Sequence, residues 1–94
     1  MPYISEATRF VLDAYPETAN NAGELNYVLT KHVLTYIKHK GLNYQTLNDA
    51  IGALEGAKAE LQRRLVAKYE AAKITLNGDI EAYEELENMV RNVK

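Results

Sequence analysis

Several absences narrow what this 94-residue chain can be. It has no cysteine, which excludes a disulfide framework, a thiolate metal site and a cysteine nucleophile. A chain without thiols also fits a reducing compartment. It has no tryptophan and a single phenylalanine, so any core is built from Leu, Ile, Val, Ala and Tyr. No apolar run approaches the roughly 20 residues of a membrane span. The opening Met1-Pro2-Tyr3-Ile4-Ser5-Glu6 lacks the basic and apolar blocks of a secretory leader, and the expected location is the cytoplasm. The formal net charge of −2 argues against long-range attraction to DNA, RNA or an anionic membrane. Strand signals, internal repeats and low-complexity tracts are also missing.

What is present is helical. At this length one small domain, residues 1–94, is expected, with hydrophobic content of 47% sufficient for a core. Ser5 can cap a first helix ending at Tyr15, where Pro16 stops it; Ala7, Phe10, Val11 and Ala14 form its apolar stripe. Asn21 and Glu24 make a capping box for a second helix that ends at Gly41, a natural left-handed position. Leu25, Val28, Leu29, His32 and Tyr36 line one side of it. Asn26, Thr30, Leu34 and Ile37 line another, with Tyr27 at its edge. Thr46 and Asp49 offer a second capping box, opening a helix that runs to Asn77-Gly78. Asp79 begins a C-terminal helical extension over 79–94, acidic early and basic late, as the helix dipole favours. The fold class is therefore all-α: a helical hairpin of two long antiparallel helices, with a short N-terminal and a C-terminal helix.

The long third helix carries two faces. Leu47, Ile51, Leu54, Leu61, Leu65, Tyr69, Ala72 and Leu76 share one side, expected to close against Leu25, Leu29 and Tyr36. Gly52, Gly56, Ala59, Arg63, Ala67 and Ile74 share the other. One apolar stripe per helix suffices for a monomer. The second lane lets another backbone approach, so a homo-oligomer is expected, with Gly52, Gly56, Ala59, Ile37 and Leu34 at its interface.

Catalysis has little to stand on. There is no nucleophile elbow, phosphate loop or Ser/His/Asp set. The glutamates read as solvated partners of nearby cations, Glu60 with Arg64 for example. His32 reads as a packing residue in its stripe and His39 as a charge at a helix end. Neither has the spacing of a zinc pattern, so neither metal nor cofactor is expected.

Binding has more. Arg63 and Arg64 are either an ordinary solvated pair or a phosphate clamp, since the guanidinium fork takes phosphate oxygens bidentately. Lys58 lies within the apolar stripe, either snorkelling or facing an anion. Seven tyrosines stand against one phenylalanine. Tyr3, Tyr27 and Tyr44 lie at ends or edges where a ring can stack on a base. Asn26, one turn from Thr30, can pair with an adenine edge in both directions.

The stretch Gly23-Glu24-Leu25-Asn26-Tyr27-Val28-Leu29-Thr30, then Leu47-Asn48, Gly52-Ala53-Leu54-Glu55, Ala57-Lys58, Arg63-Arg64, Tyr69-Glu70 and Asn77-Gly78-Asp79, is similar to a family of short all-helical proteins from bacteriophages and metagenomes, many described only as domains of unknown function. The likeness covers roughly Ala22 to Asp79. The Met-Pro-Tyr-Ile opening also matches, whereas Gly56 departs from a slightly larger residue there. In size and layout that family resembles the phage anti-CBASS sponges, helical subunits that assemble as hexamers and sequester cyclic di- and trinucleotides. The resemblance implies a non-enzymatic ligand-binding protein of the infected host's cytoplasm, with sites between subunits and Tyr3, Asn26, Tyr27, Thr30, Lys58, Arg63 and Arg64 as ligand contacts. The competing expectation is a small helical module that binds and inhibits a host protein.

Overall fold

A computed structural model describes residues 4–94, and among these there are helices and no strands. The elements are α1 (Glu6–Ala14), a single 3-10 turn at Pro16–Thr18, α2 (Ala22–Lys40), α3 (Tyr44–Leu61), a π-helical turn at Gln62–Val66, α4 (Ala67–Asn77) and α5 (Glu81–Arg91). No helix among the described residues is long and apolar enough to cross a membrane. The chain divides into two units, one running through Leu54 and the other from Glu55 to Lys94.

In the first unit the helix ends are set by short polar side chains and glycine. The Ser5 hydroxyl accepts the Thr8 amide at 3.2 Å, which satisfies one of the amides that a helix start leaves without a partner. The Asn21–Glu24 capping box closes in both directions. Asn21 Oδ1 accepts the Glu24 amide at 2.9 Å, while Glu24 Oε1 accepts the Asn20 amide at 3.1 Å and Oε2 accepts from Asn21 Nδ2 at 3.0 Å. Gly41 ends α2 at a φ of 103°, a conformation that a Cβ would strain. α3 starts earlier than its sequence signal. Asn43, not Thr46, is the cap: its Oδ1 accepts the Thr46 amide at 2.9 Å, leaving Thr46 buried.

The buried apolar side chains of this unit are Leu12, 2% exposed, and Ala50, 6% exposed. α1 therefore turns a different side inward from its expected stripe. Leu12 is buried, whereas Phe10 is 78% exposed and Val11 is also exposed. α2 likewise half-buries Tyr27, Val28, Thr30, Val33 and Ile37, while Leu25, Leu29 and Tyr36 are more exposed, at 41–52%. α2 and the start of α3 share a groove lined by His32, Val33, Tyr36, Asp49, Ala50, Ala53 and Leu54.

The second unit continues α3 through the π turn into α4. A π turn holds one more residue than an α turn, which rotates the residues beyond it by about 100° at 3.6 residues per turn. Gly56 and Ala59 before the turn, and Ala67 and Ile74 after it, therefore do not form one straight lane. Leu61, Leu65, Tyr69 and Leu76 are all exposed, so they are not core side chains of the single chain. Gly78 ends α4 at a φ of 84°. α5 then begins at Glu81, two residues later than Asp79, whose Oδ1 instead accepts the Ile80 amide at 2.7 Å.

Candidate functional site

The expected ligand contacts fall in both units, except Tyr3, which lies outside the described residues. In the first unit Asn26 and Thr30 meet directly. The Thr30 hydroxyl donates to the Asn26 carbonyl at 2.8 Å and reaches Asn26 Oδ1 at 3.2 Å. Back-bonding of this kind ties a hydroxyl to its own helix. Both contacts of the Thr30 hydroxyl are to Asn26 oxygens, and Nδ2 takes no part in them.

Tyr27 has a different neighbour. Its hydroxyl donates to Asp13 Oδ1 at 2.8 Å, and Lys31 Nζ stands 3.9 Å from Asp13 Oδ2. These contacts fasten α1 to α2. Partial burial pushes the Tyr27 phenol above its ordinary value of 10.0; the hydrogen bond to Asp13 and the Asp13 charge add to the rise, and the Arg9 charge opposes it. Leu12, Asp13, Pro16, Tyr27, Val28, Lys31, His32 and Thr35 line a pocket of 250 Å³ here. His32 is exposed at its edge and is not packed within a stripe. Asp13 and Lys31 could not be found by local spacing, because the contact joins two helices across an intervening turn.

In the second unit the arginines occupy the π turn. Arg63 Nη2 donates to both Glu60 carboxylate oxygens, each at 2.9 Å. Glu60 therefore pairs with Arg63 three residues on, and not with Arg64 as expected. The pair is exposed on both sides, so it contributes little to stability. Arg64 lies on a shallow groove of 520 Å³ with Glu60, Leu61, Leu65 and Lys68. Lys68 was not anticipated, although its position four residues after Arg64 places it one turn along the same side. Lys58 is exposed, so its ammonium needs no buried counter-charge.

At the expected interface, a Cβ added to Gly52 or Gly56 would meet nothing within 4 Å. Ala59 and Leu34 are exposed and Ile37 is half-buried.

The family model described as "Domain of unknown function (DUF6899)" matches residues 1–80. The chain belongs to this family. The match takes in the caps of α1 and α2, the glycines of α3, the arginine-bearing π turn and Gly78, and it ends before α5. No curated protein and no solved structure matches the chain.

Proposed function

We propose that this DUF6899 protein is a self-assembling, non-enzymatic sponge that binds cyclic oligonucleotide immune signals and holds them intact in the cytoplasm of a phage-infected host. The observation that carries the reading is the groove at the π turn. Arg64 and Lys68 supply two cations beside Leu61 and Leu65, and π turns recur at functional sites. Cations suit phosphates, and leucine side chains suit the faces of bases. One side of a single helix cannot enclose a ligand, whereas binding pockets bury most of a ligand's surface. A neighbouring copy supplies the second wall. Arg63, whose Nη2 is held by Glu60, becomes a phosphate contact when Glu60 is displaced. Lys58 adds a further cation in the same unit; in the first unit Asn26, with Nδ2 free of Thr30, and Thr30 are the separate candidates for reading a base or ribose edge, and Tyr3 and Tyr27 for stacking.

Calorimetry against a panel of cyclic di- and trinucleotides tests this, with intact ligand recovered after heat denaturation. Arg64→Ala and Lys68→Ala are each expected to weaken binding at least tenfold. A folded protein giving no heat with any member of the panel refutes the reading. At a hundred times its dissociation constant the ligand adds about 2.7 kcal/mol of stability, visible as a higher melting temperature.

The extent of exposed leucine, tyrosine and valine also favours a second reading, a helical module that occupies a host protein. In that case no nucleotide raises the melting temperature, and Gly56→Leu abolishes capture of the host partner.

A further inference from the structure

α5 is the most sharply two-sided helix of the chain. Ala82, Tyr83, Leu86, Met89 and Val90 fall within one side at helical spacing, and Val93 follows two residues past the helix end. The large ones among them are between 57% and 75% exposed. Its polar residues are ordered along the axis as well as around it. Glu81, Glu84, Glu85 and Glu87 come first, Arg91 closes the last turn, and Lys94 follows just past the helix end. α5 has only 11 residues, and isolated helices shorter than about 12–15 residues are marginal in water. A helix this short, with its apolar side uncovered, depends on something covering it.

We infer that α5 pairs antiparallel with α5 of a second copy. The charge order selects both partner and direction. Antiparallel, the acidic start of each helix lies beside the basic end of the other, and the opposed helix dipoles add to the attraction. A parallel pair would set four glutamates against the same four. The spacing is also self-complementary about a two-fold axis, as an isologous contact requires. Leu86 of one copy meets Met89 of the other near the axis, Ala82 meets Val93 at each end, and Tyr83 and Val90 flank the seam. This contact deepens the self-assembly of the proposed function, and it lies outside the region shared with the family.

The absence of native cysteine makes the test clean. Full-length Ala82→Cys and Val93→Cys chains, one carrying a size tag, are mixed and gently oxidised. The expected product is the mixed Ala82-to-Val93 disulfide, at least tenfold over either same-site dimer. At about 1.5 Å per residue, antiparallel pairing holds two copies of position 82 roughly 16 Å apart, beyond disulfide reach. Dominant same-site dimers, or no intermolecular disulfide, overturn the inference. In parallel, the double variant Leu86→Glu/Met89→Glu is followed by light scattering. The concentration at which it dissociates is expected to rise at least tenfold, and an unchanged assembly overturns the pairing. Nucleotide calorimetry on the unsubstituted protein is read independently, so failure of the α5 contact and failure of the sponge reading are separable.

Discussion

Replacing Leu12 by alanine tests whether the core of the first unit is where the structure places it. The side chain is 2% exposed, and truncation to alanine removes about three methylene equivalents, each worth roughly 0.8 kcal/mol on burial. Leu12 borders the open pocket at Asp13 and Tyr27. The vacated space therefore joins solvent, with no sealed cavity left behind, and the cost stays near the transfer value, about 2–3 kcal/mol, at the lower end of buried Leu→Ala changes. For a domain of this size that lowers the melting temperature by roughly 10–20 °C, readily measured by circular dichroism at 222 nm. The control is Phe10→Ala on the same helix. Phe10 is 78% exposed, and exposed substitutions fall within about 0.5 kcal/mol of neutral. The ordering is the decisive result, because an inward stripe of Ala7, Phe10, Val11 and Ala14 predicts the reverse. A costlier loss at Phe10 than at Leu12 refutes the orientation of α1.

Local geometry sets three further outcomes. Asn21→Ala removes the cap acceptor for the Glu24 amide and should cost about 1 kcal/mol in chemical denaturation, whereas Thr46→Ala should not behave as a cap deletion, because Asn43 holds that end. Gly41→Ala, at a φ of 103°, should destabilise by more than the roughly 0.4–1 kcal/mol that glycine replacement gains at a relaxed site; Gly52→Ala, in open space within a helix, should raise the melting temperature. Tyr27 titrates above its ordinary value of 10.0, so folding favours its protonated form. Its contribution is fully present below pH 10.0 and is lost as pH rises through the higher folded value; a pH–stability profile in which Tyr27→Phe does not reduce the alkaline decline would count against the Asp13 contact.

The parts of the fold readable from sequence are those decided within a few residues. Ser5 and the Asn21–Glu24 pair start helices through bonds to neighbouring amides, Pro16 stops one because it has no N–H and restricts the residue before it, and Gly41 and Gly78 end helices through a φ only glycine adopts freely. The inward side of α1 is not readable in this way. Phe10, Val11 and Leu12 are consecutive, so in a helix of 9 residues the apolar groups spread over about 200° at 100° per residue, and the choice among them is made by where Asp13 meets Tyr27 and Lys31. Periodicity also cannot register the π turn, since the adjacent Leu65 and Val66 allow either winding to keep an apolar residue on a given side. At the candidate site the adjacent arginines are visible in the sequence, but assigning Glu60 to Arg63 requires side-chain geometry. Lys68 does carry a signal, its spacing from Arg64, masked by the more conspicuous arginine pair.

The π turn at Gln62–Val66 makes chain length itself a variable. Elsewhere in the long helix, a side chain's bearing is fixed by its composition and place in the repeat. Here one surplus residue acts as a phase shifter between Leu61 and Ala67. Removing any single residue between them would let ordinary α winding resume and leave the two flanks on nearly the same relative bearing, because the lost residue takes its own 100° with it. A one-residue deletion within these five positions is thus absorbed, whereas the same deletion elsewhere in the long helix would turn one flank against the other by about 100°.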